Sequence, residues 1–233
     1  PSSLLAFGHG QKQVGCSYSY DNSKLLHLLV EFKLHNTYNA SFEEYYSKMV
    51  APFDVLGTIS PQVEIYLWFE EDLFCQANMW FMIRLLMHCE VQNSVFLVLP
   101  NTSLTYGFAG LDHAGLIEAL QKKKEITKKD LSQFDALWRA YSNSDSIVMK
   151  KVGESLSENF SFVLPAITAH FQRQEIGDSI GLPKKTLVAI ARELKTVEFS
   201  KVFRKFSRRL PIYGFGDLQV KGLWEEVLTA ELL

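Results

Sequence analysis

The stretch that decides the fold is Val63-Glu64-Ile65-Tyr66-Leu67-Trp68-Phe69, which runs directly into Glu70-Glu71-Asp72 and then into the apolar residues 73–89. The first run is rich in β-branched and aromatic residues, which is typical of a buried strand. Residues 73–89 predict a long helix. A strand that passes through an acidic turn into a helix is the first half of a βαβ unit, and open α/β sheets bind ligands at such junctions. The acidic turn is therefore the first candidate for a functional site.

A second buried strand is predicted at residues 94–99, where Pro100 ends it. The intervening helix is long enough for a crossover, so we expect the two strands to be parallel neighbours. Two strands do not make a stable sheet. We therefore expect further strands from the N-terminal segment, from residues upstream of Pro1 or from another subunit.

Beyond Pro100 the strand pattern stops and seven helices are predicted, at residues 112–124, 128–141, 145–156, 161–174, 184–195, 199–210 and 217–228. Thr127 and Asp130 form the cap of the second of these. Strands first and helices later indicate an α/β domain at residues 1–105 and an all-α domain at residues 106–233. The first is expected to be Rossmann-like, with a partly parallel sheet that is either truncated or completed elsewhere. Residues 183–229 are expected to form a winged-helix-like, three-helix end.

The N-terminal segment predicts short strands at residues 4–7 and 14–20, then a helix over residues 25–35. Ser41 with Glu44 three residues later is a capping box, which predicts a further helix.

Composition places the chain among globular proteins. It has 233 residues, 47% of them hydrophobic, and a formal net charge of -2. No uninterrupted apolar run reaches the roughly 20 residues that a membrane span needs, and the N-terminus has no secretory pattern. The three cysteines include no C-x-x-C pair, and the six histidines show no metal-binding spacing. These features argue against a disulfide framework or a zinc site and predict a cytoplasmic protein.

Glu70 and Asp72 stand two residues apart, so both point to one side if the strand continues through them. Two carboxylates in one crevice repel each other, and a divalent cation or a shared proton relieves the repulsion. Mg²⁺ is usually held by one or two carboxylates plus substrate phosphates, and Gln76 lies one helical turn further on. Glu70, Asp72 and Gln76 are thus candidate ligands for a small molecule or for Mg²⁺. The alternative is that the acidic turn only stabilises the helix N-terminus through its dipole.

Cys75 lies in the first turn of the predicted helix, where a thiol pKa falls. No histidine stands close to it in the sequence. We therefore expect a buried cysteine rather than a nucleophile.

Positive charge is concentrated near the C-terminus, where residues 184–209 carry nine cationic and two anionic side chains. Lys201, Arg204, Lys205 and Arg208 recur at the spacing of one helical face. This stripe, on three short helices, is a candidate nucleic-acid-binding surface. The alternatives are a solvated face or a dock for the acidic N-terminal half.

The sequence Trp68-Phe69-Glu70-Glu71-Asp72-Leu73-Phe74-Cys75-Gln76-Ala77-Asn78 resembles the signature of a bacterial family catalogued as "domain of unknown function eighteen thirty-five". Three further blocks are similar to that family: Gly107-Phe108 with Leu137-Trp138-Arg139-Ala140-Tyr141, Leu164-Pro165 with His170, and Tyr213-Gly214-Phe215-Gly216-Asp217-Leu218-Gln219. The resemblance runs from about Phe42 to the C-terminus. Members usually open with a strand that ends in an N-G-D turn, which residues 1–21 lack. The resemblance implies a bacterial cytoplasmic protein with an α/β domain and a helical tail, and it implies no activity.

The leading hypothesis is a protein that binds a metal-associated or nucleotide-like small molecule at Glu70, Asp72 and Gln76, with hydrolytic or phosphoryl chemistry as an extension. The second hypothesis is a DNA-binding regulatory protein that uses the basic helix. The third is an adaptor or structural protein that has neither activity. No membrane partner is expected, and an oligomer is left open.

Overall fold

The computed structural model describes residue 47 and residues 51–101, 107–177 and 179–230. The described part is mostly helical and contains one small mixed sheet. In chain order its elements are β1 Ile65–Trp68, α1 Leu73–His88, β2 Val95–Val98, α2 His113–Gln121, β3 Lys124–Ile126, α3 Lys128–Ser142, α4 Ser146–Ser157, α5 Val163–Gln172, α6 Leu182–Leu194, α7 Phe199–Arg209 and α8 Asp217–Thr229. Segments of 3₁₀ helix lie at Ala51–Thr58, Gly107–Gly110 and Pro211–Tyr213. This arrangement is consistent with the expected α/β part followed by a helical part, although β3 lies within the range that was expected to be helical.

β1 and β2 are parallel neighbours, as the sequence predicts, with Ile65 opposite Val95 and Trp68 opposite Val98. α1 is the crossover between them. The side chains of Leu67 in β1 and of the corresponding Leu97 in β2 are almost fully buried. Burial of these apolar side chains is the main favourable contribution that strands of four residues can make.

The prediction that strands stop at Pro100 is wrong, because β3 pairs antiparallel with β2 and makes β2 the central strand. β3 has three residues, and only Ile126 is buried. Beside it, the Lys123 ammonium lies 4.4 Å from the centre of the Tyr66 ring and 4.2 Å from that of Phe96. A lysine at the edge of a sheet discourages pairing with another chain. The third strand of the sheet is thus supplied by this chain, downstream of Pro100, and not by one of the three sources expected from the sequence.

The seven predicted helices are all present, with ends that differ by a few residues. Three of them, α2, α3 and α4, begin at a side-chain cap. The Asp112 carboxylate accepts the Gly115 N–H at 2.9 Å, and Thr127 and Asp130 form a complete capping box at the start of α3. Each cap satisfies N–H groups that the first helical turn leaves without a partner.

The last three helices enclose a core of their own. α6, α7 and α8 pack against one another around the buried side chains of Leu187, Val188, Ile190, Ala191, Val202, Phe206, Val220, Trp224 and Val227. α6 and α7 are joined by a short turn in which Lys195 adopts a left-handed conformation, with φ of 49°. Residues 182–230 contain no strand, so nothing in that described range corresponds to a wing.

The chain divides into two compact units. One contains the described residues of Ile65–Arg84 and Val95–Leu233, and the other those of Phe7–Glu64 and Leu85–Ser94. In the second unit, the Asn93 amide donates to the Ser60 carbonyl at 2.7 Å and to the Val63 carbonyl at 2.6 Å. All candidate site residues belong to the first unit.

Several expectations lie outside the described residues, namely the strands at 4–7 and 14–20, the helix over 25–35 and the capping box at Ser41. The boundary at residues 105 and 106 stays a prediction. Among the described helices, none is both long enough and apolar enough to cross a bilayer.

Candidate functional site

The acidic turn lies between β1 and α1. β1 ends at Trp68, so the alternation that was expected to align Glu70 with Asp72 does not extend to them. The two carboxylates nevertheless converge, because the chain turns there and enters the helix. One ligand atom from each of Glu70, Asp72 and Cys75 lies within 4.8 Å of those of the other two. The predicted convergence is present and is produced by the turn rather than by the strand.

Asp72 caps the helix. Its side chain is 4% exposed, and Oδ1 accepts the Cys75 N–H at 3.0 Å, the hydrogen bond of an N-cap residue. The Asp72 carbonyl also accepts the Gln76 N–H at 2.9 Å, which starts the helical ladder. The capping alternative therefore accounts for Asp72, at least for one of its two oxygens.

Capping does not account for Glu70. Its Oε1 accepts the backbone N–H of Phe108 at 2.9 Å, in the 3₁₀ segment that follows β2. Among the described residues, no cation lies within ion-pair distance of either Glu70 or Asp72. Glu71, between them, is not part of the cluster, and burial raises the pKa of its carboxyl group. The turn thus holds two carboxylates together, and no described residue supplies a neutralising side chain.

Two glycines are in direct contact with the two carboxylates. Gly107, with φ of 54°, lies against the Glu70 carboxylate, and Gly214, with φ of 61°, lies against that of Asp72. A Cβ atom at either glycine would overlap the carboxylate. Both positions also have positive φ, which favours glycine. The position of each carboxylate therefore requires a glycine in a backbone segment that is distant in the sequence.

Gln76 belongs to the same site, as its helical spacing predicts. Its Nε2 donates to the Glu70 carbonyl at 2.8 Å, and the residue is completely buried. Its Oε1 has no hydrogen-bond partner in the described part of the chain. A buried carbonyl oxygen without a partner costs about 1–3 kcal/mol, so a ligand that bonded to it would recover part of that free energy.

Cys75 is a thiol rather than a thiolate at neutral pH. Burial and then the negative charge of Asp72 raise its pKa to about 12. The lowering that is usual for a cysteine at a helix N-terminus is outweighed here. The expectation that Cys75 is not a nucleophile agrees with this environment.

A second polar cluster joins α3, α5 and the turn before α8. Arg173, at the end of α5, donates through Nη2 to the Tyr141 hydroxyl at 3.1 Å and lies 3.2 Å from Nδ1 of His170. His170 is 7% exposed, and burial followed by the charge of Arg173 lowers its pKa to about 4. The imidazole is therefore neutral at neutral pH and accepts from the guanidinium. Residue spacing does not indicate Arg173, although the resemblance blocks contain Tyr141, His170 and Tyr213.

The basic stripe lies on α7 as predicted. Its cations line an open surface groove of about 620 Å³, formed by Leu194, Lys201, Arg204, Lys205, Arg208 and Arg209. Lys201 pairs with Glu198 at 2.6 Å, and both Lys205 and Arg209 pair with Glu193. Within the described residues, Arg204 and Arg208 have no ion pair. The stripe is thus partly neutralised by the protein's own carboxylates.

The chain matches no protein-family model, no curated protein and no solved structure. The resemblance to the bacterial family stays a prediction.

Proposed function

We propose that the chain binds a divalent cation, with a metal-associated or nucleotide-like small molecule, at the turn between β1 and α1. The observation that carries the proposal is the convergence of the Glu70 and Asp72 carboxylates, which have no neutralising cation among the described residues, beside the Oε1 of Gln76, which has no partner among them either. Like charges held this close favour a bound cation. The Gln76 oxygen is the independent sign that a ligand completes the site.

The donor atoms favour a hard cation. Glu70, Asp72 and Gln76 offer oxygen atoms, which suit Mg²⁺ or Mn²⁺, whereas the Cys75 sulfur would favour Zn²⁺. Oxygen donors are the majority, so we propose Mg²⁺ as the natural ion. A bound Mg²⁺ would polarise a phosphoryl group, which makes hydrolysis or phosphoryl transfer the proposed reaction class.

Calorimetric titration with Mg²⁺, Mn²⁺ and Zn²⁺ tests the proposal. We expect the double variant Glu70→Gln and Asp72→Asn to lose Mg²⁺ and Mn²⁺ binding. Gln can still accept the Phe108 N–H, and Asn caps a helix as well as Asp does, so the substitutions remove charge and keep the fold. The matched control is Glu71→Gln, which removes an adjacent carboxylate outside the cluster. Equal binding in the double variant and in this control would refute the proposal.

Cys75→Ser separates the two classes of metal. We expect Mg²⁺ binding to persist in this variant, because the oxygen donors remain. If wild type binds Zn²⁺ alone and the variant loses it, the site is a sulfur-containing one and the assignment of Mg²⁺ is wrong.

Nucleic-acid binding is the second candidate, and the groove on α7 favours it. Arg204 and Arg208 stand one turn apart on the exposed face of this helix, free of ion pairs within the described residues. α7 follows α6 through a short turn, as a recognition helix does in helix-turn-helix proteins. We expect the double variant Arg204→Glu and Arg208→Glu to abolish salt-dependent DNA retention on a filter.

The charge-matched control for this test is Lys150→Glu with Lys151→Glu, two exposed lysines on α4. This control retains DNA if the groove is the binding surface. Absence of DNA retention by wild type at low salt would remove the second candidate.

Three finer statements complete the proposal. The β1–α1–β2 crossover is proposed to be the start of a Rossmann-like sheet. The resembling blocks support the proposal that the chain belongs to the bacterial family of unknown function. The cysteine usage supports the proposal of a cytoplasmic location. A small molecule is the proposed partner, and the adaptor hypothesis is what remains if neither surface binds anything.

A further inference from the structure

Three buried side-chain polar atoms in the described part of the chain have no hydrogen-bond partner: Gln76 Oε1, Trp80 Nε1 and Tyr213 Oη. Buried polar groups are nearly always satisfied, so each such group calls for an explanation. Gln76 and Trp80 lie one turn apart on α1, and Asp72 is one turn before Gln76. The first two unpartnered atoms therefore extend along one helical face from the candidate cation site.

The third unpartnered atom is connected to the same face from the other side. The Trp80 ring packs edge-on against Tyr141, with centroids 5.7 Å apart, and the Tyr141 hydroxyl accepts from Arg173. α5, which ends beside Arg173, packs against the 3₁₀ segment that contains Tyr213. Gly214, the next residue, lies against the Asp72 carboxylate. Contacts thus lead from Asp72 along α1 to Trp80, and from Trp80 through Tyr141 to Arg173. The packing of α5 against the 3₁₀ segment and the contact of Gly214 with Asp72 then lead back to the starting point.

Arg173 is the one charge of the second cluster. It has no carboxylate within ion-pair distance among the described residues, and it is half-buried. Its two contacts among the described residues, with the Tyr141 hydroxyl and with the neutral His170 ring, both use Nη2. The N–H groups on Nε and Nη1 of the guanidinium have no acceptor among the described residues.

The helix dipole explains a cation at the end of α5, since a helix C-terminus favours positive charge. It does not explain Tyr213. This hydroxyl is completely buried and has no partner among the described residues; burial raises its pKa, and the nearby charge of Arg173 opposes the rise. A guanidinium without a carboxylate partner and a buried hydroxyl without an acceptor, both judged among the described residues, form an environment for an oxyanion.

We propose that Arg173 and the Tyr213 hydroxyl bind a phosphoryl group. This deepens the proposed function, on which it rests, by naming the part of the ligand that the protein holds apart from the cation. The ligand is then an anion that carries its phosphate towards Arg173 and its metal towards Glu70 and Asp72. The chemistry is common to inorganic phosphates and nucleotides.

The experiment is calorimetric titration of the full chain with inorganic pyrophosphate and with ADP, both in EDTA. EDTA removes divalent cations, so failure of the cation site does not affect the outcome. We expect Arg173→Gln and Tyr213→Phe each to weaken binding roughly tenfold or more, because each substitution removes a hydrogen bond to a charged group. Lys221→Gln, on the exposed face of α8, is the control and is expected to bind as wild type does.

Thermal unfolding separates binding from a structural role. Tyr213→Phe removes a hydroxyl that has no partner in the free protein, so we expect its melting temperature to stay equal to that of wild type or to rise. Pyrophosphate binding equal to that of ADP assigns the affinity to the phosphoryl group, and tighter ADP binding indicates a nucleotide. No binding of either ligand in EDTA, or undiminished binding by Tyr213→Phe, overturns the proposal.

Discussion

Protonation of His170 should weaken the fold measurably between neutral and mildly acidic pH. The imidazole is 7% exposed, and its pKa is lowered from 6.5 to about 4, first by burial and then by the charge of Arg173. The unfolded chain therefore binds a proton in this range that the folded chain does not. Stability from this group is fully present above pH 6.5 and is lost as the pH falls towards 4.

The size of the effect follows from the two pKa values. At 1.36 kcal/mol per unit, this group lowers the free energy of unfolding by about 2 kcal/mol between pH 7 and pH 5. Urea unfolding at the two pH values measures it. Carboxylates also titrate between pH 7 and pH 5. The loss in free energy of unfolding over this interval is therefore compared between wild type and His170→Gln. We expect wild type to lose about 2 kcal/mol more than the variant over this interval.

The same reasoning can be refuted in two ways. Equal loss of stability in wild type and in His170→Gln would show that the imidazole titrates alike in the folded and unfolded chains. An NMR titration of the His170 ring is the direct observation, and its midpoint should lie well below the ordinary value of 6.5. A midpoint near 6.5 would contradict the burial argument.

Three further substitutions have expected outcomes. Gly214→Ala should lower the free energy of unfolding by at least roughly 1–2 kcal/mol, which is the cost of a non-glycine residue in a left-handed conformation. It should also abolish Mn²⁺ binding, because the added Cβ displaces the Asp72 carboxylate; unchanged Mn²⁺ binding would contradict the contact. Thr127→Ala should lower the free energy of unfolding by about 1 kcal/mol through loss of the capping box, and a change near zero in urea unfolding would contradict that role. Asn93→Ala should cost about 1–3 kcal/mol, because the Val63 carbonyl loses the donor that Asn93 supplies and the Ser60 carbonyl keeps only the Val63 N–H, and hydrogen exchange should show the loss within that unit.

The sequence predicts the elements whose signals are local. The β-branched run of β1, the apolar length of α1 and the capping pair of Thr127 and Asp130 all act over a few residues. The parallel pairing of β1 with β2 follows from the length of the connection. These features were therefore predictable without the structure.

The missed features depend on contacts between distant parts of the chain. β3 has three residues with two exposed side chains, so its identity comes from pairing with β2 rather than from its own composition. Gly107 and Gly214 acquire their role only where the folded chain brings them against Glu70 and Asp72. The convergence of the two carboxylates was expected for a reason that does not apply, since β1 ends before either of them.

The most direct test of the cation site is the effect of Mn²⁺ on backbone amide NMR signals. Mn²⁺ broadens signals close to it, and the Phe108 amide donates to the Glu70 carboxylate while Gly214 lies against that of Asp72. We expect these two signals to broaden first in wild type and in Glu71→Gln, and to stay sharp when Glu70→Gln and Asp72→Asn are combined. Broadening that is absent in wild type, or that persists in the double variant, would contradict the site.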